Sequence, residues 1–196
     1  MNAWAQAEAE RVQANMVRIG RVTEVDAANA RAKLKVGGLD TDWLPWGVAR
    51  AGGTRTASAP TVGEQRLVFS PYGDTSQAVI GPAIYQNAHP TPAANGDLEV
   101  VVFSDGTRVE YNHAANKLQI DVAGSGLVVV NCKQATIKAD TSVTLDTPET
   151  TLKGNLTVEG NATFSGGSVT HGGKNIGKTH VHVGVQPGPS NTGAPA

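Results

Sequence analysis

A six-residue beat near the C-terminal end limits what this chain can become more than any other feature. Gly154-Asn-Leu-Thr-Val-Glu159 is followed by Gly160-Asn-Ala-Thr-Phe-Ser165 and Gly166-Gly-Ser-Val-Thr-His171, successive units that each open on glycine. A repeat of this length is the mark of a β-helix or β-prism, in which each short strand forms one face and a glycine helps turn each corner. A lone left-handed β-helix needs about three such units per turn, so these supply a single turn, and repeat units bury their apolar faces only by stacking. Three chains wound about one axis remove the difficulty, because each gives one face per level and every Val, Leu and Phe points to a shared interior. Such winding also closes strand edges that would otherwise invite aggregation. The beat therefore predicts a fibrous homotrimer.

The same character starts near residue 97. Asp105-Gly106 lies between Val100-Val-Val-Phe103 and Arg108-Val-Glu-Tyr111, a strong short-range hairpin signal. Short apolar beats follow at Ile120 and Val122, Leu127 to Val130, Ile137, Val143 and Leu145, and Leu152. Thr, a good strand residue, fills many positions between them. Residues 97–178 are thus expected to form a spike-like shaft, with 179–196 as its apex and the Pro-rich stretch 87–96 as a linker before it.

Upstream the pattern differs. Residues 1–17 are rich in Ala, Glu, Gln and Arg without Gly or Pro and read as a short helix. Ala5, Ala9, Val12 and Met16 are spaced to form a narrow apolar packing stripe. Residues 18–86 read as all-β. Arg18-Ile-Gly-Arg-Val-Thr-Glu-Val25 and Arg31-Ala-Lys-Leu-Lys-Val36 alternate as half-buried strands do, with a turn at Asp26-Ala-Ala-Asn29 between them. Several short strands in so few residues suggest a small closed barrel such as an OB-fold. Trp43 and Trp46 could serve such a barrel as a nucleotide-stacking platform. No basic cluster accompanies them, which favours a core or interface role.

Composition closes off several function classes. The formal net charge is -1, so no electrostatic footprint for nucleic acid or an anionic bilayer is present. The single cysteine, Cys132, rules out an intrachain disulfide, fits a reducing compartment and reads as a small buried residue within a Val-rich run. No apolar run approaches the ~20 residues that span a membrane. Met1-Asn-Ala-Trp-Ala-Gln-Ala-Glu-Ala-Glu10 lacks the basic start and apolar centre of a signal peptide, which predicts assembly in the cytoplasm.

His180 and His182, in Lys178-Thr-His-Val-His-Val-Gly184, are the candidate metal ligands. In an extended segment residues two apart share a side, so both imidazoles can face one point. Two ligands make an incomplete site, but on a three-fold axis two per chain make six nitrogens around one ion. Octahedral nitrogen coordination suits Fe(II), Co(II) or Ni(II) better than Zn(II), and a filled shell leaves no position for substrate. The competing reading is a His-x-His in a polar tail. His171 closes the last six-residue unit and could face the axis or solvent, whereas His89 and His113 read as solvated linker and turn residues.

Across most of its length the chain resembles the phage baseplate assembly protein V family, the central spike of contractile tails. Trp43-Leu-Pro45, Arg50-Ala-Gly52, Val62-Gly-Glu-Gln65 and Pro71-Tyr-Gly-Asp74 resemble that family's OB domain, and Ser104-Asp-Gly-Thr-Arg-Val-Glu-Tyr111 the start of its spike. Thr170-His-Gly-Gly-Lys-Asn-Ile-Gly-Lys-Thr-His-Val-His182, with Gly184-Val-Gln-Pro-Gly188 and Asn191-Thr-Gly193, is similar to its tip; Val181 and Val183 stand where relatives often carry Thr and Gly. The resemblance implies an all-β molecule: a short N-terminal helix and OB-fold barrel, then a trimeric intertwined triple-stranded β-helix with a metal-capped tip. It implies one structural Fe per trimer on His180 and His182. Its implied partners are baseplate hub and tail tube proteins and, mechanically, a Gram-negative outer membrane, with neither nucleic acid nor a small-molecule substrate. Its implied location is the baseplate tip of a virion or of a tail-like particle, and the spike of R-type pyocins is equally compatible.

Two other classes are weaker. A hexapeptide-repeat acyltransferase fails on coil count, and a hydrolase using a metal on His180 and His182 lacks a nearby carboxylate base and a Gly-x-Ser-x-Gly turn. An OB-fold nucleic-acid binder with an oligomerising tail conflicts with the charge balance. The expectation is a protein that is not an enzyme.

Overall fold

The computed structural model describes residues 2–93, 95–177, 180, 184 and 188. The chain separates into two compact units, Met1–Asn131 and Cys132–Ala196.

Helix α1 spans Ala3–Met16. Asn2 caps it, its side-chain oxygen accepting from the Ala5 N–H at 2.9 Å, which satisfies one of the unpaired donors of the first turn. Arg11 and Glu8 pair one turn apart along it. At Val17 the backbone turns extended and strand β1, Val17–Asp26, begins without a loop. Ala5 and Val12 of the expected stripe are half-buried, but Glu8 and Asn15 share that side while Ala9 and Met16 are exposed. The phase is set by Gly73, whose missing side chain lets the helix sit close: a β-carbon there would lie 2.8 Å from the Val12 Cα.

Five further strands complete a barrel: β2 (Arg31–Val36), β3 (Leu39–Asp40), β4 (Leu44–Pro45), β5 (Gln65–Phe69) and β6 (Val79–Ile84). The sheet order is β3-β2-β1-β5-β6, with β4 also paired to β2. Asp26 accepts from the Asn29 backbone N–H at 3.1 Å, and this turn returns the chain so that β2 runs antiparallel to β1. The ring closes where the Gly47 N–H donates to the Ile80 carbonyl at 2.8 Å, beside a Trp46–Ile80 bridge. Alternation then points Val22, Ala32, Leu34, Val36, Leu44, Val68, Ala78 and Ile80 into one core, with Trp46 and Val25 packed against it. Burying each of the larger side chains contributes about 1.5–3 kcal/mol. Trp43 is half-buried, with the Lys33 Nζ 4.7 Å above its ring.

A second, antiparallel sheet follows in the same unit: β7 (Leu98–Val102), β8 (Arg108–Asn112) and β9 (Lys117–Asp121). The expected hairpin turns at Asp105-Gly106, with Gly106 at φ +90 and the Phe103 N–H donating to the Thr107 carbonyl at 2.8 Å. Val101 stands opposite Val109, and Val109 opposite Ile120; Tyr111 stands opposite Leu118. No residue of this sheet is buried.

The second unit is built differently. From residue 132 to 169 no strand forms, and the only pairing described beyond is a short hairpin of β10 (Thr170–His171) with β11 (Lys174–Asn175). The Ile176 N–H donates to the Val169 carbonyl and extends that hairpin by one bond.

Candidate functional site

Two features of the second unit carry the chemistry that sequence points to: a series of unburied apolar side chains, and the histidines beyond them. Within one chain Ile137 is 79%, Leu145 72% and Phe164 73% exposed, and Val143, Leu152, Leu156 and Val158 are exposed as well. No described residue of this unit is buried. Backbone pairing is what normally brings apolar strand faces together, and between residues 132 and 169 this backbone has no strand partner in its own chain. Cys132, expected as a small buried residue, is likewise exposed. Its Val-rich neighbours point to an interior without saying whose.

Of the candidate ligands, His180 is described and His182 lies outside the described residues. The His180 Nδ1 is 2.6 Å from the Gly177 carbonyl oxygen. A carbonyl only accepts, so Nδ1 carries the hydrogen, and in the neutral ring Nε2 then holds the lone pair that metal coordination requires. A backbone carbonyl holding one ring nitrogen is how protein metal sites commonly fix the tautomer of a ligand. Sequence spacing gave no sign of this acceptor, since any residue carries a carbonyl; the one available hint was Gly177, three residues before the histidine. His171 sits exposed on β10, directly opposite Lys174. Among the described residues no group of three or more His, Cys, Asp or Glu gathers to hold a metal within one chain.

The remaining histidines are placed elsewhere. His89 exchanges backbone hydrogen bonds with Gln86, and His113 stands edge-on to Tyr111 with its Nε2 3.9 Å from a Glu99 carboxylate oxygen. Both are exposed. On the barrel, Arg66 pairs with Glu64 at 2.9 Å and Lys33 with Glu24 at 3.1 Å, so these bases are matched with acids rather than ranked along a groove. Among the described residues no helix is long and apolar enough to cross a membrane.

Comparison with known proteins agrees with this division. Residues 18–85 match a family described as the Type VI secretion system/phage-baseplate injector OB domain, and residues 131–184 match one described as the phage spike trimer. The spike protein of Escherichia phage P2 is 38% identical over 148 residues, covering 72% of this chain and 70% of that protein. The barrel and the stretch after it are thus separate family signatures joined in one polypeptide. The chain belongs to the phage baseplate assembly protein V family of spike proteins.

Proposed function

We propose that this protein is the central spike of a contractile tail: a homotrimer whose C-terminal stretches wind into one intertwined β-helical needle that pierces a Gram-negative outer membrane. The observation that carries the reading is the run of apolar side chains from Ile137 to Phe164, all left exposed by their own chain. Three copies sharing one axis would bury that run and supply each backbone with neighbours. The role is mechanical, and rigidity serves it better than affinity for lipid.

His180 and His182 of three chains would hold one Fe at the apex. The Nδ1–Gly177 hydrogen bond of His180 supports this, since a backbone carbonyl on one ring nitrogen fixes the tautomer that a metal ligand needs. The ion would contribute cross-linking at chain ends, where fraying is easiest, and would stabilise the assembled trimer by linkage. The hub and tube proteins of the baseplate are the partners implied, and a tail-like bacteriocin particle is served by the same architecture.

The test joins sedimentation with elemental analysis. The wild-type protein is expected to sediment as a trimer carrying Fe, and the His180→Ala/His182→Ala variant as a trimer without it. A well-folded wild-type single subunit would overturn the needle; full Fe occupancy in the variant would overturn the ligand assignment alone.

A further inference from the structure

The barrel carries an apolar surface besides its core, and strand register makes that surface continuous. On the wall formed by β1, β5 and β6, Val22, Val68 and Ile80 point inward to the core. Alternation sends the positions beside them outward. Val17 stands opposite Phe69 and Phe69 opposite Val79, while Ile19 stands opposite Leu67 in the next row. Val17 is 54%, Ile19 50% and Phe69 41% exposed. Phe69 is also seated in place: its ring lies over Gly81, where a β-carbon would come within 2.3 Å of it. A contiguous exposed apolar patch marks an interaction surface, and a side chain already held in place loses little freedom on binding.

Charge borders the patch at one end. In the row beyond Ile19, Arg21 stands between Lys35 on β2 and Gln65 on β5. Like charges directly opposite one another are destabilising. Further along the same face the opposed pair is matched instead, with Lys33 3.1 Å from Glu24. Lys35 has Asp40 across from it on β3, but Arg21 has no acid on either neighbouring strand. The hollow beside Arg21 is lined by Gln65, Gln86 and Asn87, and among the described residues it forms no ion pair.

The patch is poorly suited to contact between copies or to a bilayer. Copies arranged about a three-fold axis meet through unlike surfaces, so a patch used there needs a complementary one on the neighbour. The barrel's other exposed apolar residues, Leu39, Val48, Val62, Tyr72 and Tyr85, include no two that stand opposite each other on paired strands. A single unmatched cation adds only about 1 kcal/mol of attraction to an anionic membrane.

We propose that the outer face of β1, β5 and β6 docks a different polypeptide of the tail particle, one that presents apolar side chains with a carboxylate at the Arg21 end. Phe69 and Arg21 are the anchors, since aromatic and arginine side chains are enriched at interface cores. The proposal rests on the spike reading for the particle that holds the partner, and it adds a surface that the needle and the histidines do not use.

The experiment introduces Phe69→p-benzoylphenylalanine into the full-length chain in particles assembled by the producing bacterium. After irradiation the cross-linked peptide is sequenced by mass spectrometry. The expected product joins this chain to another polypeptide, at a segment with Asp or Glu beside apolar residues. Arg21→Glu should lower the cross-link yield about ten-fold or more, because like charges facing each other across an interface are strongly unfavourable. The new carboxylate would face Lys35, so the barrel itself should remain folded. The same charge change at an exposed loop position, Arg50→Glu, should leave the yield within about two-fold. Cross-links only to another copy of this chain, or none in particles that contain it, overturn the docking surface and leave the spike standing. Cosedimentation of the purified protein with phosphatidylglycerol vesicles, abolished by Ile19→Asp, assigns the face to a bilayer and overturns it as well. Particles that lack the chain altogether remove the spike reading and the docking surface together.

Discussion

The OB barrel and the stretch after Asn131 both carry apolar residues in strand-forming company, yet a single chain buries them in only one of the two. In the barrel, Leu34 and Ile80 are fully enclosed; beyond residue 131, Phe164 and Ile137 face outward. The difference lies in the turns. Asp26 and Asn29 send the barrel's first strand back alongside itself, and each later turn adds another strand to the same ring. Between residues 132 and 169 no turn returns the chain against itself, so the hydrogen-bonding groups and the apolar face stay open together. Self-sufficiency, on this comparison, is decided by backbone return and only secondarily by hydrophobicity.

The most damaging way to test that contrast is to put charge where only an assembly would notice. Val158→Asp/Phe164→Asp changes two side chains that are exposed in one chain, and a monomer should tolerate it. We expect complete loss of the trimer by sedimentation while the fluorescence of Trp43 and Trp46 reports an intact barrel; an unaffected trimer would break the comparison. The mirror experiment is Leu34→Ala, which should cost the barrel about 2–5 kcal/mol in a urea titration followed by the same tryptophans. The mass of the assembly should not change.

A smaller effect is expected at Gly73, at φ +70 beneath Val12. Gly73→Ala forces a β-carbon to within 2.8 Å of the Val12 backbone and should cost about 1–3 kcal/mol, seen as faster amide exchange along α1 with the barrel strands unchanged. The smallest effect belongs to Asp105 at the hairpin turn. The Thr107 backbone N–H, and then its hydroxyl, donate to this carboxylate and hold it below the usual carboxylate range. A group with a lowered folded value stabilises the fold above its unfolded value and ceases to do so as pH falls through the folded one. Protection of the Thr107 amide should therefore weaken on acidification, and Asp105→Asn should remove that pH dependence.

How much of this was legible depended on how local its cause is. The alternation of Arg31 to Val36, the Asp105-Gly106 turn and the Gly-free helix are written in neighbouring residues, and each appears where expected. The closing bond of the barrel, from Gly47 to Ile80, joins residues far apart in sequence and left no local trace. The helix phase departs from the spacing of its apolar residues for a similar reason: Glu8 and Asn15 are drawn toward the barrel side because Gly73 admits Val12, a fact of the partner and not of the helix. Cys132 shows the limit from the other side, since an apolar run does not say whether its interior belongs to one molecule or several. At the tip, spacing marked His180 as a ligand candidate, but the carbonyl that orients it is invisible to any reading of side chains.

One junction has a mechanical consequence. Helix α1 passes into β1 between Met16 and Val17 with no intervening loop, and the Ser70 N–H clamps the Met16 carbonyl at 2.9 Å. β1 is itself the middle strand, flanked by β2 and β5. Force applied along the helix therefore enters the wall of the barrel through its best-anchored strand, with no slack segment to stretch first. A thrust received there is shared at once by two neighbouring strands, as in a strut bolted to the centre of a plate.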